Sequence, residues 1–387
     1  MVRNPDHCRC YCHCYFDCYS VHLVNTMKKS LLFLPDISGF TEFVQSTEVE
    51  HSQHVIAELL EILIEANTIG LELAEIEGDA LFFYKEEQLP SLAEFLGQVE
   101  SMYTAFYSHL RRLKEHRICP CNACAKAPEL ELKIITHSGE IQFISVHNNR
   151  KPFGTQVIEA HRLMKNSVPS DNYILLSESL ATDLGLKSGT YSDQYEFVAE
   201  KNHYDGRDVH YLYSEIDVKK LSLKAPTDTY EVQFSEPPSL KACREYPISA
   251  ELLYEYVSNF RYRHLWNKQA DRFEFNENEV TKLGSPHVCV INGHDIDFVT
   301  VTKPVKEGQL IYGELTENPP PVDELYQFFI ITPLAEDRCR LELETYWKAR
   351  SPVKKVMLSL FAKKALRNSL DRVIENLMEM AIQQPVL

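Results

Sequence analysis

The chain has 387 residues, 44% hydrophobic and 25% charged, with a formal net charge of −16 at pH 7. That composition is globular and about two domains long, and an acidic surface argues against nucleic acid or anionic membrane as a partner. No apolar run approaches the roughly 20 residues of a membrane span, and no long apolar stretch near the start marks an export signal. The expectation is therefore a cytoplasmic protein with no transmembrane segment. Of the eleven cysteines, Cys8, Cys10, Cys12, Cys14 and Cys18 crowd the start, Cys119, Cys121 and Cys124 sit together, and Cys243, Cys289 and Cys339 are scattered like small buried hydrophobes.

Residues 1–26 show neither helix nor strand period. Their alternating Cys with His7 and His13 suits a soft metal, but Met27-Lys-Lys-Ser is an ordinary start, so the stretch is read as a disordered or mis-called extension. Leu32-Phe-Leu-Pro-Asp36 then predicts a buried strand, turning through Ser38-Gly39 into a helix. Apolar Val55, Leu59, Ile62, Leu63 and Ala66 make this one long helix, and Leu71–Tyr84 predicts a hairpin with its turn at Gly78-Asp79. Asp36 and Asp79 thus stand at strand ends beside a helix start. Carboxylates there suit a hard divalent cation, and the free N–H groups of Gly39, Phe40 and Thr41 suit an anion. Further along come a helix over Leu89–Lys114, a Cys-rich loop, strands at Leu130–Thr136 and Glu140–Val146, and a helix from Gly154 to about Met164. Strands at Tyr173–Leu176, Tyr195–Val198 and Val209–Tyr213 and a helix at Glu178–Leu184 complete an α+β sandwich of β-α-β-β-α-β type.

Asp36-Ile-Ser-Gly-Phe-Thr41, Gly78-Asp-Ala80, His137-Ser-Gly-Glu140 and Gly154-Thr-Gln-Val-Ile-Glu-Ala-His-Arg162 follow one another at spacings that resemble the class III adenylate and guanylate cyclase homology domain. The resemblance implies a ferredoxin-like cyclase domain over 27–216, a homodimer with sites at the interface, and Mg²⁺ or Mn²⁺ held by Asp36 and Asp79. The ions bind a nucleoside triphosphate and help activate the ribose hydroxyl, and Arg162 is the implied catalytic, transition-state cation. Glu75 and Lys151 occupy the base-reading positions, where they either read guanine or close as an ion pair. Ile158 replaces the family's Asn, and losing one such donor costs about 3–4 kcal/mol, 10²–10³ in rate. Enzyme status stays open: a non-catalytic nucleotide binder, a slow cyclase for GTP or an unusual NTP, or a dimerising scaffold with vestigial sites. His137 and His161 are further acid–base candidates, more often packing or surface groups.

His116, Cys119, Cys121 and Cys124 offer four N/S ligands in nine residues. That number suits tetrahedral Zn²⁺, although Cys-x-Cys is tight spacing for one ion. Redox sensing and plain loop cysteines are the other readings.

Pro and polar residues over 217–238 mark a linker. Beyond it, 239–387 predicts a strand, a helix capped by Ser249, a run of strands from Arg272 to Trp347, and a long helix over Pro352–Ala381 with apolar Val356, Leu360, Phe361, Leu366, Leu370, Val373, Ile374 and Leu377. This order, with Val257-Ser-Asn-Phe-Arg-Tyr-Arg-His-Leu-Trp266, resembles the START-like helix-grip domain, and the pairing of the two halves resembles an uncharacterised bacterial family. The implied partner is a hydrophobic small molecule or lipid, with Tyr326–Ile331 lining a cavity or filling a core.

Overall fold

The computed structural model describes residues 29–383 apart from 148, 191, 193, 205, 226–229, 278, 320, 353, 355–357 and 359–362. The stretch 1–26, and Val356, Leu360 and Phe361 of the expected last helix, lie outside the described residues.

Strand β1 (Ser30–Ser38) is buried along its whole length. Alternate side chains of a strand face opposite ways. Leu31, Phe33 and Ile37 accordingly enter one core and Leu32 and Leu34 another. The next elements are α1 (Phe40–Ser46), α2 (Val49–Glu65), β2 (Glu72–Glu77), β3 (Ala80–Lys85), α3 (Leu92–Glu115), α4 (Asn122–Lys126) and β4 (Glu131–Gly139). They are followed by β5 (Gln142–Val146), β6 (Asn149–Phe153), α5 (Thr155–Leu163), β7 (Tyr173–Ser177), α6 (Glu178–Asp183), β8 (Val198–Tyr204) and β9 (Arg207–Glu215). The first sheet runs β2-β3-β1-β4-β7-β9-β8, with β5 and β6 as a separate hairpin. Spatial order 2-3-1-4 for the first four strands is the interleaving of a β-α-β-β-α-β unit, so this half is mixed α+β.

Helices α2 and α3 cover the face bearing Leu31 and Phe33; α5 covers the opposite face through Ala160 and Leu163. Helix α3 starts at a capping box of Ser91 and Glu94 and buries Phe95, Val99, Met102, Phe106 and Leu110, the period its sequence carries. The expected long helix after β1 breaks at Thr47 and Glu48 into α1 and α2, and α4 and β6 have no counterpart in the expected order; both lie where polar, Cys- or Pro-containing sequence masks any period.

A second antiparallel sheet forms from β10 (Leu240–Tyr246), β11 (Arg272–Glu274), β12 (Pro286–Ile291), β13 (His294–Val301), β14 (Leu310–Glu317), β15 (Glu324–Ala335) and β16 (Arg338–Lys348). Its order is β10-β16-β15-β14-β13-β12-β11. Helices α7 (Ala250–Ser258), α8 (Arg263–Trp266) and α9 (Lys363–Gln383) pack on one face. Ser249 caps α7 by accepting the Leu252 N–H at 3.1 Å. Strand β15 sends Phe329 and Ile331 toward α9 and Tyr326, Phe328 and Ile330 to the other face. That second face is covered by Tyr230, Val232 and Phe234, with Phe234 stacked on Tyr346 at 3.9 Å. Part of the expected linker is thus a sheet cover.

The halves meet over buried charge. Glu58 of α2 lies 2.7 Å from His109 Nε2 and 3.3 Å from Lys282 Nζ, and accepts the Val280 N–H. Close by, the Leu283 N–H donates to His116 O at 2.9 Å and Tyr254 Oη to Ile118 O at 2.8 Å. No described helix is long and apolar enough to cross a membrane.

Candidate functional site

Asp36 closes the β1–β3 ladder opposite Ala80, the residue after Asp79, while β1 runs two residues further along β4, past the expected strand end; the Ile37 N–H donates to Asp79 O at 3.1 Å. The β1–β3 ladder therefore holds both acidic residues at one end of the sheet. By strand alternation Asp36 lies on the face of Leu32 and Leu34, the one covered by α5. Burial pushes the Asp79 carboxyl up from its ordinary value, and the Asp36 charge pushes it the same way. A carboxyl held up by burial and a neighbouring negative charge is a donor that a bound cation would relieve. A protein cation is already present: Lys133, directly across the ladder, puts Nζ 3.2 Å from Asp36 Oδ2.

Gly39 adopts φ +86°, a left-handed geometry that favours glycine, and leads into α1 with its carbonyl accepting the Phe43 N–H at 3.0 Å. Phe40 is half-buried and Thr41 exposed. Glu75 and Lys151 are brought together, but onto each other, with Nζ 2.7 Å from Oε1. Ile158 and Arg162 lie one turn apart on α5, and Ile158 is 52% exposed. His137 is buried between Ser177 Oγ (2.8 Å) and Gln156 Oε1 (2.7 Å), and burial lowers its pKa, so it packs as a neutral ring. His161 lies 3.7 Å from Glu77 and edge-on to Phe82.

The thiols form a second group, with one correction to its membership. Cys119, Cys121 and Cys124 converge with His51 of α2, all four ligand atoms lying within 4.8 Å of one another. His116 is not a member of that group; its ring packs edge-on against Tyr230 at 5.7 Å. One signal pointed to His51: it precedes Val55 by four residues and so extends the buried stripe of α2. Hydrogen bonds from the neighbouring Cys119 and Cys124 thiols and from His51 hold the Cys121 sulfur well below the usual thiol range.

Between α9 and the second sheet lies a cavity of about 190 Å³ lined by Arg263, Trp266, Glu314, Phe329 and Leu370. Arg263 and Glu314 form a buried ion pair, and burial together with the Arg263 charge pushes His287 down to about 2, so it stays neutral.

Residues 56–173 match the family described as Protein of unknown function (DUF2652). That stretch holds Glu75, Asp79, the three thiols, Lys151 and Arg162, but begins after Asp36 and His51. An uncharacterized protein of Mycobacterium tuberculosis is 32% identical over 126 residues, 33% of this chain and 58% of that protein. The chain thus matches under two thirds of that relative's length. Among solved structures, the chain is similar to the adenylyl cyclase CyaB from P. aeruginosa, at TM-score 0.36 and 18% identity, over 50% of this chain and 96% of that one. It is also similar to a norcoclaurine synthase from Thalictrum, at TM-score 0.30 and 11% identity, over 38% of this chain and 95% of that one.

Proposed function

We propose that the first half is a divalent-metal and nucleotide-binding module of class III cyclase type, residues 27–216, joined through 217–238 to a START-like sensor half, residues 239–387. In this reading it signals by binding a nucleoside triphosphate rather than by rapid turnover. The observation that carries the reading is the Asp36–Asp79 pair, brought to one end of the sheet, where burial and the Asp36 charge raise the Asp79 pKa. A bound Mg²⁺ or Mn²⁺ would be held by these carboxylates and would neutralise triphosphate charge. Glu75 and Lys151 would reopen to receive the base, and Arg162 would face the phosphates of a neighbouring subunit. Against fast chemistry stand Ile158 in place of a donor and Lys133 in place of a cation. A homodimer is supported by Leu73, Ile76, Ile144, Phe153 and Ile158, large apolar groups left 40–53% exposed on neighbouring elements β2, β5, β6 and α5. For the second half, the charged floor and apolar walls of the cavity suit a small apolar molecule with one polar group. Its volume is below the ~300–1,000 Å³ of common ligand pockets.

The test is calorimetric titration of each NTP with and without Mn²⁺, alongside an assay for cyclic product. Mn²⁺-dependent binding that weakens at least about tenfold, 1.4 kcal/mol, in Asp36→Asn and Asp79→Asn is the expected result. Binding indifferent to metal and to both substitutions would overturn it. Cyclic product that requires Asp36 would make the protein a cyclase instead.

A further inference from the structure

We propose that His51, Cys119, Cys121 and Cys124 bind one Zn²⁺ as a closed Cys₃His site, and that Glu255 ties this site to the second half of the chain. The distances from His51 Nδ1 to the sulfurs of Cys121, Cys119 and Cys124 are 3.1, 3.4 and 3.7 Å. A tetrahedral ion with Zn–S near 2.3 Å and Zn–N near 2.1 Å separates N from S by about 3.6 Å. The group is therefore already sized for one ion, and its 4.8 Å span leaves no room for a multi-iron cluster. Three sulfurs and one imidazole complete a four-coordinate shell with no position left for water, the pattern of a structural rather than a catalytic zinc.

The surroundings fit the same role. Glu48 accepts the backbone N–H groups of Asn122 (3.3 Å) and Ala123 (3.0 Å), fixing the loop that carries the thiols to the start of α2. The Cys124 N–H points at Cys121 Sγ at 3.4 Å, the donor a thiolate accepts. With Nδ1 turned to the sulfurs, Nε2 of His51 lies 3.3 Å from the Glu255 carboxylate on α7. A carboxylate behind a ligating histidine sets its tautomer and raises its basicity. Here that carboxylate comes from the other sheet's helix layer, 204 positions away in the chain. Filling the site would stiffen the junction between the halves, next to the Tyr254–Ile118 hydrogen bond.

The experiment uses the full chain with Cys8, Cys10, Cys12, Cys14 and Cys18 changed to Ser, so that metal content reports only this cluster. Zinc is expected at one per chain by elemental analysis after dialysis. Cobalt substitution should give the intense visible bands of a tetrahedral ion and thiolate-to-metal charge transfer. Cys121→Ser and His51→Ala should lose the metal, and His116→Ala should keep it. Glu255→Gln should retain one metal per chain with affinity reduced about 10–100-fold. Absence of stoichiometric zinc and of a thiolate–cobalt spectrum in the parent chain would overturn the site, as would a disulfide among these thiols in the metal-free protein that metal fails to prevent. Unchanged metal in folded His51→Ala, or loss in His116→Ala, would overturn the ligand assignment. Unchanged affinity in Glu255→Gln would overturn the tether. Should the ligand variants not fold, the cobalt spectrum of the parent decides.

Discussion

The acidic pair and the thiol group are two ways of assembling a site. Asp36 and Asp79 are delivered by one ladder, within a single sheet; Asp36 is buried with Lys133 against it, and Asp79 is half-buried. The thiols share one short stretch that runs from a loop into α4, but their nitrogen ligand comes from α2 and its carboxylate from α7. The first arrangement is reachable only from the hairpin turn that carries Asp79. The second encloses its centre at the seam between the halves. The contrast teaches that adjacency in a sheet suffices for a binding edge, whereas a closed centre draws on every layer packed around it.

The comparison sharpens most at the seam. Glu58→Ala strips the carboxylate from buried His109 and leaves Lys282 only Glu279 at 3.4 Å, and removing one member of a buried pair costs about 3–5 kcal/mol. Denaturant unfolding should show that loss, with both halves losing stability. Glu58 also gives the seam a pH dependence. Burial would raise its pKa, but His109 and Lys282 more than offset this, leaving it below the ordinary 4.5. A depressed carboxylate contributes stability above its unfolded value that is lost as pH falls toward its folded one. Acid should therefore weaken the seam below about pH 4.5 in the parent and much less in Glu58→Gln.

At the acidic edge the effects are smaller and of opposite sign. Asp79 is raised, so its charged form costs folding free energy as pH climbs past its folded pKa, and a bound cation removes that cost. Stabilisation by Mn²⁺, read as a shift in Tm, should grow as pH rises through the Asp79 range. Lys133→Met should strengthen Mn²⁺ binding several-fold by removing the competing ammonium; weaker binding would mean that Lys133 supports the metal site. Smallest is Glu75→Gln. Its pair with Lys151 is about 40% exposed on both sides, and such pairs contribute about 0–1 kcal/mol. A larger loss of unfolding free energy would give the pair a structural role.

Much of the first half was legible because its signals are local. The buried run 32–36, the hairpin turn at Gly78-Asp79 and the stripe of α3 each specify an element from neighbouring residues. The C-terminal strands were legible for the same reason, although β15 runs three residues past an expected end at Thr332, and β13 starts three residues before an expected Asp297 and stops four short of Val305. Tyr326–Ile331 remained ambiguous because period-2 burial on two faces looks like a continuous apolar run.

The amino-acid order alone determined most of the strands, the long helices and the placing of Asp79 in a hairpin turn, since hydrophobic period and turn chemistry act over a few residues. Only the tertiary structure decided which charges neutralise each other and which histidine joins the thiols. His116 lies three residues from Cys119 yet turns to Tyr230, while His51 arrives from 68 residues away because the buried face of α2 packs over the loop. Side-chain partnership depends on which surfaces the folded core brings into contact, and sequence distance does not measure that.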